Sequence, residues 1–177
     1  MDFIVFILLI IHFLYREYLL FKHKSANSRN NWRIFDLLAF AIAPIFQLCF
    51  QRFLMLDFLD NYTLKIIGLV IFCIGFVLSV WGKHTLSTSW ATGWEYGIKD
   101  NHSLISNGPF KYFTHPIYIG VLFIAIGFEL YISNAMFFIV LIIVCPLFYI
   151  QAKKEEKKLI AHFGEEYIRF KKTRLIL

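Results

Sequence analysis

The chain has 177 residues, 59% of them apolar, and carries a formal charge of +6 from 18 Lys and Arg against 12 Asp and Glu. Such a composition excludes an ordinary soluble domain and points to a membrane protein. The positive charge forms no basic stripe interleaved with base-stacking aromatics, which excludes a nucleic-acid module and leaves topology and anionic headgroups as its explanation.

Apolar runs of about 17–25 residues cross a hydrocarbon core of roughly 30 Å as helices. Five such runs occur here, so the expected fold is all-α, a polytopic membrane helical bundle. The first runs from Phe3 to about Phe21; no basic region precedes it and bulky, charged residues follow, so it reads as a retained span rather than a cleaved signal. His12 within it reads as a neutral imidazole satisfied by a neighbouring carbonyl. The second, Ile34 to Leu56, holds Pro44 to kink it and Gln47 to place an amide in the bundle, with Asp36 near its start reading as interfacial.

The third run extends from about Leu64 to Trp81. Gly68, Gly75 and Gly82 recur every seventh residue, and with Ser79 they line one helical face. Close helix packing follows, with approach of a cofactor to bare backbone as the alternative. The fourth and fifth runs, Pro116 to Ile132 and Ala135 to Ile150, are parted only by Ser133 and Asn134 and read as a tight helical hairpin, with Glu129 interfacial. Cys49, Cys73 and Cys145 each fall inside a run without metal-ligand spacing; they read as small core residues, and no metal site is expected.

Sixteen of the 18 basic residues fall before the second run, between the third and fourth, or after the fifth; Arg52 and Lys65 are the other two. The positive-inside rule then places the N-terminus outside and the C-terminus in the cytoplasm. The chain reads as one integral membrane domain: residues 1–82 form a three-span scaffold with few ionisable groups, and residues 83–177 carry nearly all the chemistry.

Two polar clusters stand out in that second half. In Asn107-Gly108-Pro109-Phe110-Lys111-Tyr112-Phe113-Thr114-His115-Pro116-Ile117-Tyr118-Ile119-Gly120, Gly108-Pro109 forces a turn and Pro116 falls in the first turn of a helix. His115 and Tyr118 then lie on similar faces, and Gly120 leaves the first turn accessible to a ligand approaching the free amides. The plainer reading is a Pro-capped membrane helix with Tyr and His at headgroup level.

In Glu155-Glu156-Lys157-Lys158-Leu159, the glutamates read as the start of a cytosolic amphipathic helix with Leu159, Ile160 and Phe163 on its apolar face. Adjacent residues point about 100° apart, so one carboxylate can face solvent while the other turns inward to accept hydroxyls or balance a cationic ligand. Ordinary pairing of Glu155 with Lys158 is the alternative.

Together these clusters resemble the isoprenylcysteine carboxyl methyltransferase and phospholipid methyltransferase superfamily of integral membrane enzymes. The resemblance runs from Leu86-Ser87-Thr88-Ser89-Trp90 through both clusters and Phe163-Gly164-Glu165-Glu166-Tyr167 to Arg174-Leu175-Ile176. It implies that His115, Tyr118, Gly120, Glu155 and Glu156 contact S-adenosylmethionine, which makes residues 83–177 a cofactor-binding half. Thr114 and Lys154 stand where family members commonly carry Arg. Thr loses the charge and Lys loses the bidentate fork.

The implied reaction is methyl transfer to a lipophilic small-molecule or lipidated acceptor entering from the bilayer. Arg174 is a candidate to position an anionic acceptor, or else anchors to headgroups. Where the acceptor must lose a proton, His115 or a glutamate is the candidate base, and Glu156 joins Arg174 as a catalytic candidate. Alternatives are a phospholipid N-methyltransferase, an NADPH-dependent membrane reductase, which would usually show an Arg-Asp pair and a downstream Cys where this chain has Glu155-Glu156 and Leu159, and a non-catalytic membrane scaffold.

Overall fold

A computed structural model describes residues 7–12, 14, 15, 18, 49, 51–86 and 104–175. Asp36, Pro44, Gln47, Lys99, the segment 87–90 and the basic residues between the first two apolar runs lie outside the described residues. Among those described there is no β-strand, only two isolated bridges, Met55 with Asn134 and Phe113 with Leu175. The protein is mostly helical.

Four helices position the site. Helix α1 is Tyr62–Leu86, α2 is Pro116–Tyr131, α3 is Met136–Phe163 and α4 is Glu165–Lys172. Two of them, α1 and α3, are long and apolar enough to cross a membrane, while α2 is a shorter apolar helix. Their outward faces are bare hydrocarbon, with Val77 61% and Ile142 70% exposed.

The small-residue face of α1 packs on α2. A Cβ added at Gly75 would lie 2.6 Å from the Gly120 carbonyl oxygen, and one at Gly68 would lie 2.9 Å from that of Gly127. Only glycine lets two backbones approach so closely. Around this seam Leu9, Phe72, Ile124, Phe128, Tyr131 and Ile132 form a buried core.

Several sequence expectations change here. His12 is buried, and its Nε2 is 2.9 Å from Ser79 Oγ and 3.0 Å from Lys83 Nζ, so side chains of α1 meet it. Lys83 therefore lies buried within α1 rather than in a loop. Cys49 and Cys73 are exposed and Cys145 half-buried, none of them core; a lipid-facing surface is as apolar as a core, so a small apolar residue serves on either. Glu129 falls in the last turn of α2, as expected, but is buried.

Between α2 and α3 the chain turns at Ser133, whose φ is 57°, and the Asn134 amide donates to the Glu129 carbonyl. A wide π turn interrupts α3 at Val140–Val144. Pro146 explains it, since proline offers no N–H to the carbonyl four residues back and crowds it. Beyond this turn the helix continues unbroken to Phe163, so the paired glutamates lie in the middle of a helix and do not begin one. Gln151 to Lys158 contains strong helix formers and no Gly or Pro, so nothing stops the helix where hydropathy falls. Gly164, with φ 55°, ends α3 and turns the chain into α4.

Candidate active site

The Gly-Pro turn forms as expected: Gly108–Lys111 is a single 3₁₀ turn, and the Phe110 amide donates to the Asn107 carbonyl. Pro116 opens α2 with His115 as its N-cap residue. The helix then sets Tyr118 beside His115, with the rings stacked 5.5 Å apart and 10° from parallel. Tyr118 packs edge-on against Phe148 of α3, and its hydroxyl donates to Glu155 Oε2 at 2.8 Å.

On α3 the two glutamates diverge as helical geometry requires. Glu155 keeps 40% of its side chain exposed, whereas Glu156 is 3% exposed as a residue. Burying a carboxylate is costly unless cations accompany it. Glu156 Oε2 accepts from Lys171 Nζ at 2.6 Å and from Lys153 Nζ at 3.1 Å.

The other oxygen, Oε1, has no hydrogen-bond partner, and neither does Nε2 of His115, 3.6 Å away. That separation is too long for a hydrogen bond. His115 Nδ1 stands 3.9 Å from Glu155 Oε2. Burial pushes the His115 pKa below its usual value, although the Glu155 and Glu156 charges pull the other way. A neutral imidazole and a carboxylate oxygen thus face each other with hydrogen-bonding capacity unused, which buried polar atoms seldom leave unused. Such a pair suits a ligand hydroxyl, and the partly exposed Glu155 carboxylate, held by the Tyr118 hydroxyl, suits a nearby positive charge.

Four of the expected site residues, His115, Tyr118, Glu155 and Glu156, come together. Gly120 does not join them: a Cβ there would lie 2.6 Å from the Ser79 backbone nitrogen and 2.9 Å from the Gly75 carbonyl oxygen, so it belongs to the seam with α1. Arg174 is also engaged elsewhere. Its Nε donates to the Phe110 carbonyl at 2.6 Å, and its guanidinium lies 3.8 Å over the Phe170 ring. Thr114 donates its amide to the Leu175 carbonyl at 3.1 Å, and Lys154 is exposed.

Sequence reasoning missed Lys153, Lys171 and Tyr167. Lys153 could have been found from its i, i+3 spacing to Glu156. Lys171 carries no local signal, because it reaches Glu156 only through the docking of α4. Tyr167 is 1% exposed with an unpartnered hydroxyl. Burial, then the Glu156 and Glu155 charges, drive its pKa far above the usual phenol range.

A family model described as phospholipid methyltransferase matches residues 64–166, more than half of the chain. The chain belongs to this family. The matched segment of this phospholipid methyltransferase family member holds His115, Tyr118, Glu155 and Glu156. It is also 28% identical over 110 residues to a protein-S-isoprenylcysteine O-methyltransferase of Xenopus laevis, covering 62% of this chain and 38% of that protein. The enzymes of that name from Saccharomyces cerevisiae (28% over 107 residues, 60% of this chain and 45% of the relative) and Homo sapiens (34% over 74 residues, 41% and 26%) are similar too. The chain thus spans less than half the length of each of these relatives.

Proposed function

We propose that this chain transfers a methyl group from S-adenosylmethionine to a lipophilic acceptor at the membrane, as an isoprenylcysteine carboxyl methyltransferase-like enzyme. One observation carries the reading: His115, Tyr118, Glu155 and Glu156 converge from two helices and leave Glu156 Oε1 and His115 Nε2 buried and unpartnered, 3.6 Å apart. The donor set fits the cofactor, since carboxylates can accept its hydroxyls and balance a sulfonium. When bound, the cofactor supplies an already activated electrophilic methyl group.

Glu156 holds a fixed negative charge through its two lysines, and Tyr118 orients Glu155 through its hydroxyl. A carboxylate or thiolate acceptor needs no base. For an amine or hydroxyl acceptor, His115 is neutral and able to take the proton at Nε2. Arg174 holds the tail through the Phe110 and Phe170 carbonyls. The full architecture proposed is a bundle of five spans with the N-terminus outside and the site at the cytoplasmic face, the acceptor's apolar tail entering laterally between helices.

The family match favours a second acceptor, a phospholipid amine, which labelled methyl donor offered with phospholipid or with a prenylated cysteine separates. The first experiment is calorimetric binding of S-adenosylhomocysteine to detergent-purified protein, with NADPH in parallel. Saturable binding of the former alone is expected. Binding of NADPH alone makes the protein a reductase, and binding of neither makes it a scaffold.

A further inference from the structure

Resting on that reading, we infer that Lys171 is a positioning residue for the cofactor: it clamps the buried Glu156 carboxylate through Oε2, keeps Oε1 turned toward His115, and thereby couples docking of the C-terminal helix to ligand binding. Three sets of contacts hold α4 in place. Tyr167 and Phe170 bury against Phe110, with Ile117, Leu159 and Phe163 packed around them. Arg174 reaches back to the Phe110 carbonyl, and the Leu175 amide donates to the Tyr112 carbonyl at 3.0 Å while its own carbonyl accepts from Thr114. These contacts fix the segment before His115 and the helix bearing Lys171 as one unit.

From that unit Lys171 crosses to α3. Its Nζ lies closer to Oε2 than that of Lys153, 2.6 against 3.1 Å, and its side chain is less exposed, 24% against 36%. Lys171 is therefore the less solvent-screened of the two partners. Lys153 sits on the same helix as Glu156 and moves with it, so it cannot report where α4 is. The groups facing Glu156 are His115 from the start of α2, Lys153 from its own helix, and Lys171 and Tyr167 from α4. Without Lys171 the carboxylate keeps, among the described residues, only its more exposed cation, which sits on its own helix and does not oppose rotation away from His115.

A double-mutant cycle on S-adenosylhomocysteine binding tests this, because the product carries no sulfonium charge and its affinity reads positioning rather than charge balance. Lys171→Met should weaken binding about tenfold, as expected for loss of a hydrogen bond to a charged group. Lys171→Arg should restore most of it. In the Glu156→Gln background, Lys171→Met should change affinity by less than about twofold, since Lys171 acts through that carboxylate. Arg174→Ala, which loosens the tail without touching Glu156, should weaken binding in the wild-type background and have a smaller effect in the Glu156→Gln background, since docking of α4 acts through that carboxylate. Equal losses for Lys171→Met in both backgrounds, or none in the wild-type one, overturn the inference while leaving the methyltransferase reading intact. A wild-type chain that binds no S-adenosylhomocysteine removes that reading and this inference with it.

Discussion

Gly120→Ala separates a packing role from a cofactor-contact role for a motif residue that the structure sets apart from the other four. The added methyl would meet Ser79 nitrogen at 2.6 Å, Gly75 oxygen at 2.9 Å and Ser79 Cα at 2.9 Å, where ordinary contact begins at 3.4 Å. All three are backbone atoms of α1 and cannot rotate aside, so the helices must part by up to about 0.8 Å at this point, in an interior that tolerates little change. Gly68 and Gly127 share the same seam, so the separation also loosens contacts elsewhere along it. Overpacking of this kind costs about 1–3 kcal/mol, and the helix propensity gained by Ala over Gly returns about 1 kcal/mol. With three backbone clashes the overpacking cost should be near the top of that range, about 3 kcal/mol, and the net loss about 2 kcal/mol. Thermal or denaturant unfolding in detergent measures it, with S-adenosylhomocysteine affinity followed on the protein that remains folded. An unchanged unfolding midpoint together with lost affinity would refute the packing argument and return Gly120 to the cofactor.

The remaining expectations concern the polar cluster. Glu156→Gln should weaken S-adenosylhomocysteine binding far more than Glu155→Gln, because the buried carboxylate holds two lysines whereas Glu155 is partly solvated and an amide oxygen can still accept from Tyr118; equal titration curves for the two variants would contradict the site. His115 is held neutral by burial. Its lowered pKa means the unfolded chain takes up the proton first, so its contribution to stability is intact above about pH 6.5 and is lost as pH falls below that toward the lowered native value. His115→Gln should flatten that limb of a stability-versus-pH profile, and an unaltered limb would place the acid sensitivity elsewhere. Tyr167→Phe removes a buried hydroxyl that has no partner, so stability should hold or rise by up to about 1 kcal/mol. A clear loss in the unfolding midpoint would mean that the hydroxyl makes an interaction in solution.

The two polar motifs and the glycine stripe were legible because each depends on local geometry. A period of seven marks one helical face, Gly-Pro and His-Pro mark a turn and a helix start, and adjacent glutamates must diverge. Hydropathy served less well. It ends the fifth run at Ile150, although helix formation continues to Phe163, because the tendency to partition into lipid and the tendency to form helix are different properties of Gln151 to Lys158. It also cannot tell a lipid-facing surface from a core, so Cys73 reads as buried and is exposed. Lys83, at the polar edge of an apolar run, reads as a loop charge and is instead paired with His12 inside the bundle.

The departures at Thr114 and Lys154 show why a motif compared position by position gives an incomplete picture of the site's charge. In sequence they look like two lost arginines. In the fold, Thr114 serves the tail, donating its amide and hydroxyl to the Leu175 carbonyl, and Lys154 faces outward. The positive charge beside Glu156 comes from Lys153, one position earlier and one turn from its partner, and from Lys171, fifteen residues beyond. What a buried carboxylate requires is cations within hydrogen-bonding reach, not at a given sequence position. Helix periodicity satisfies half of that requirement and the docking of α4 the other half, so the tail belongs to the site through Lys171.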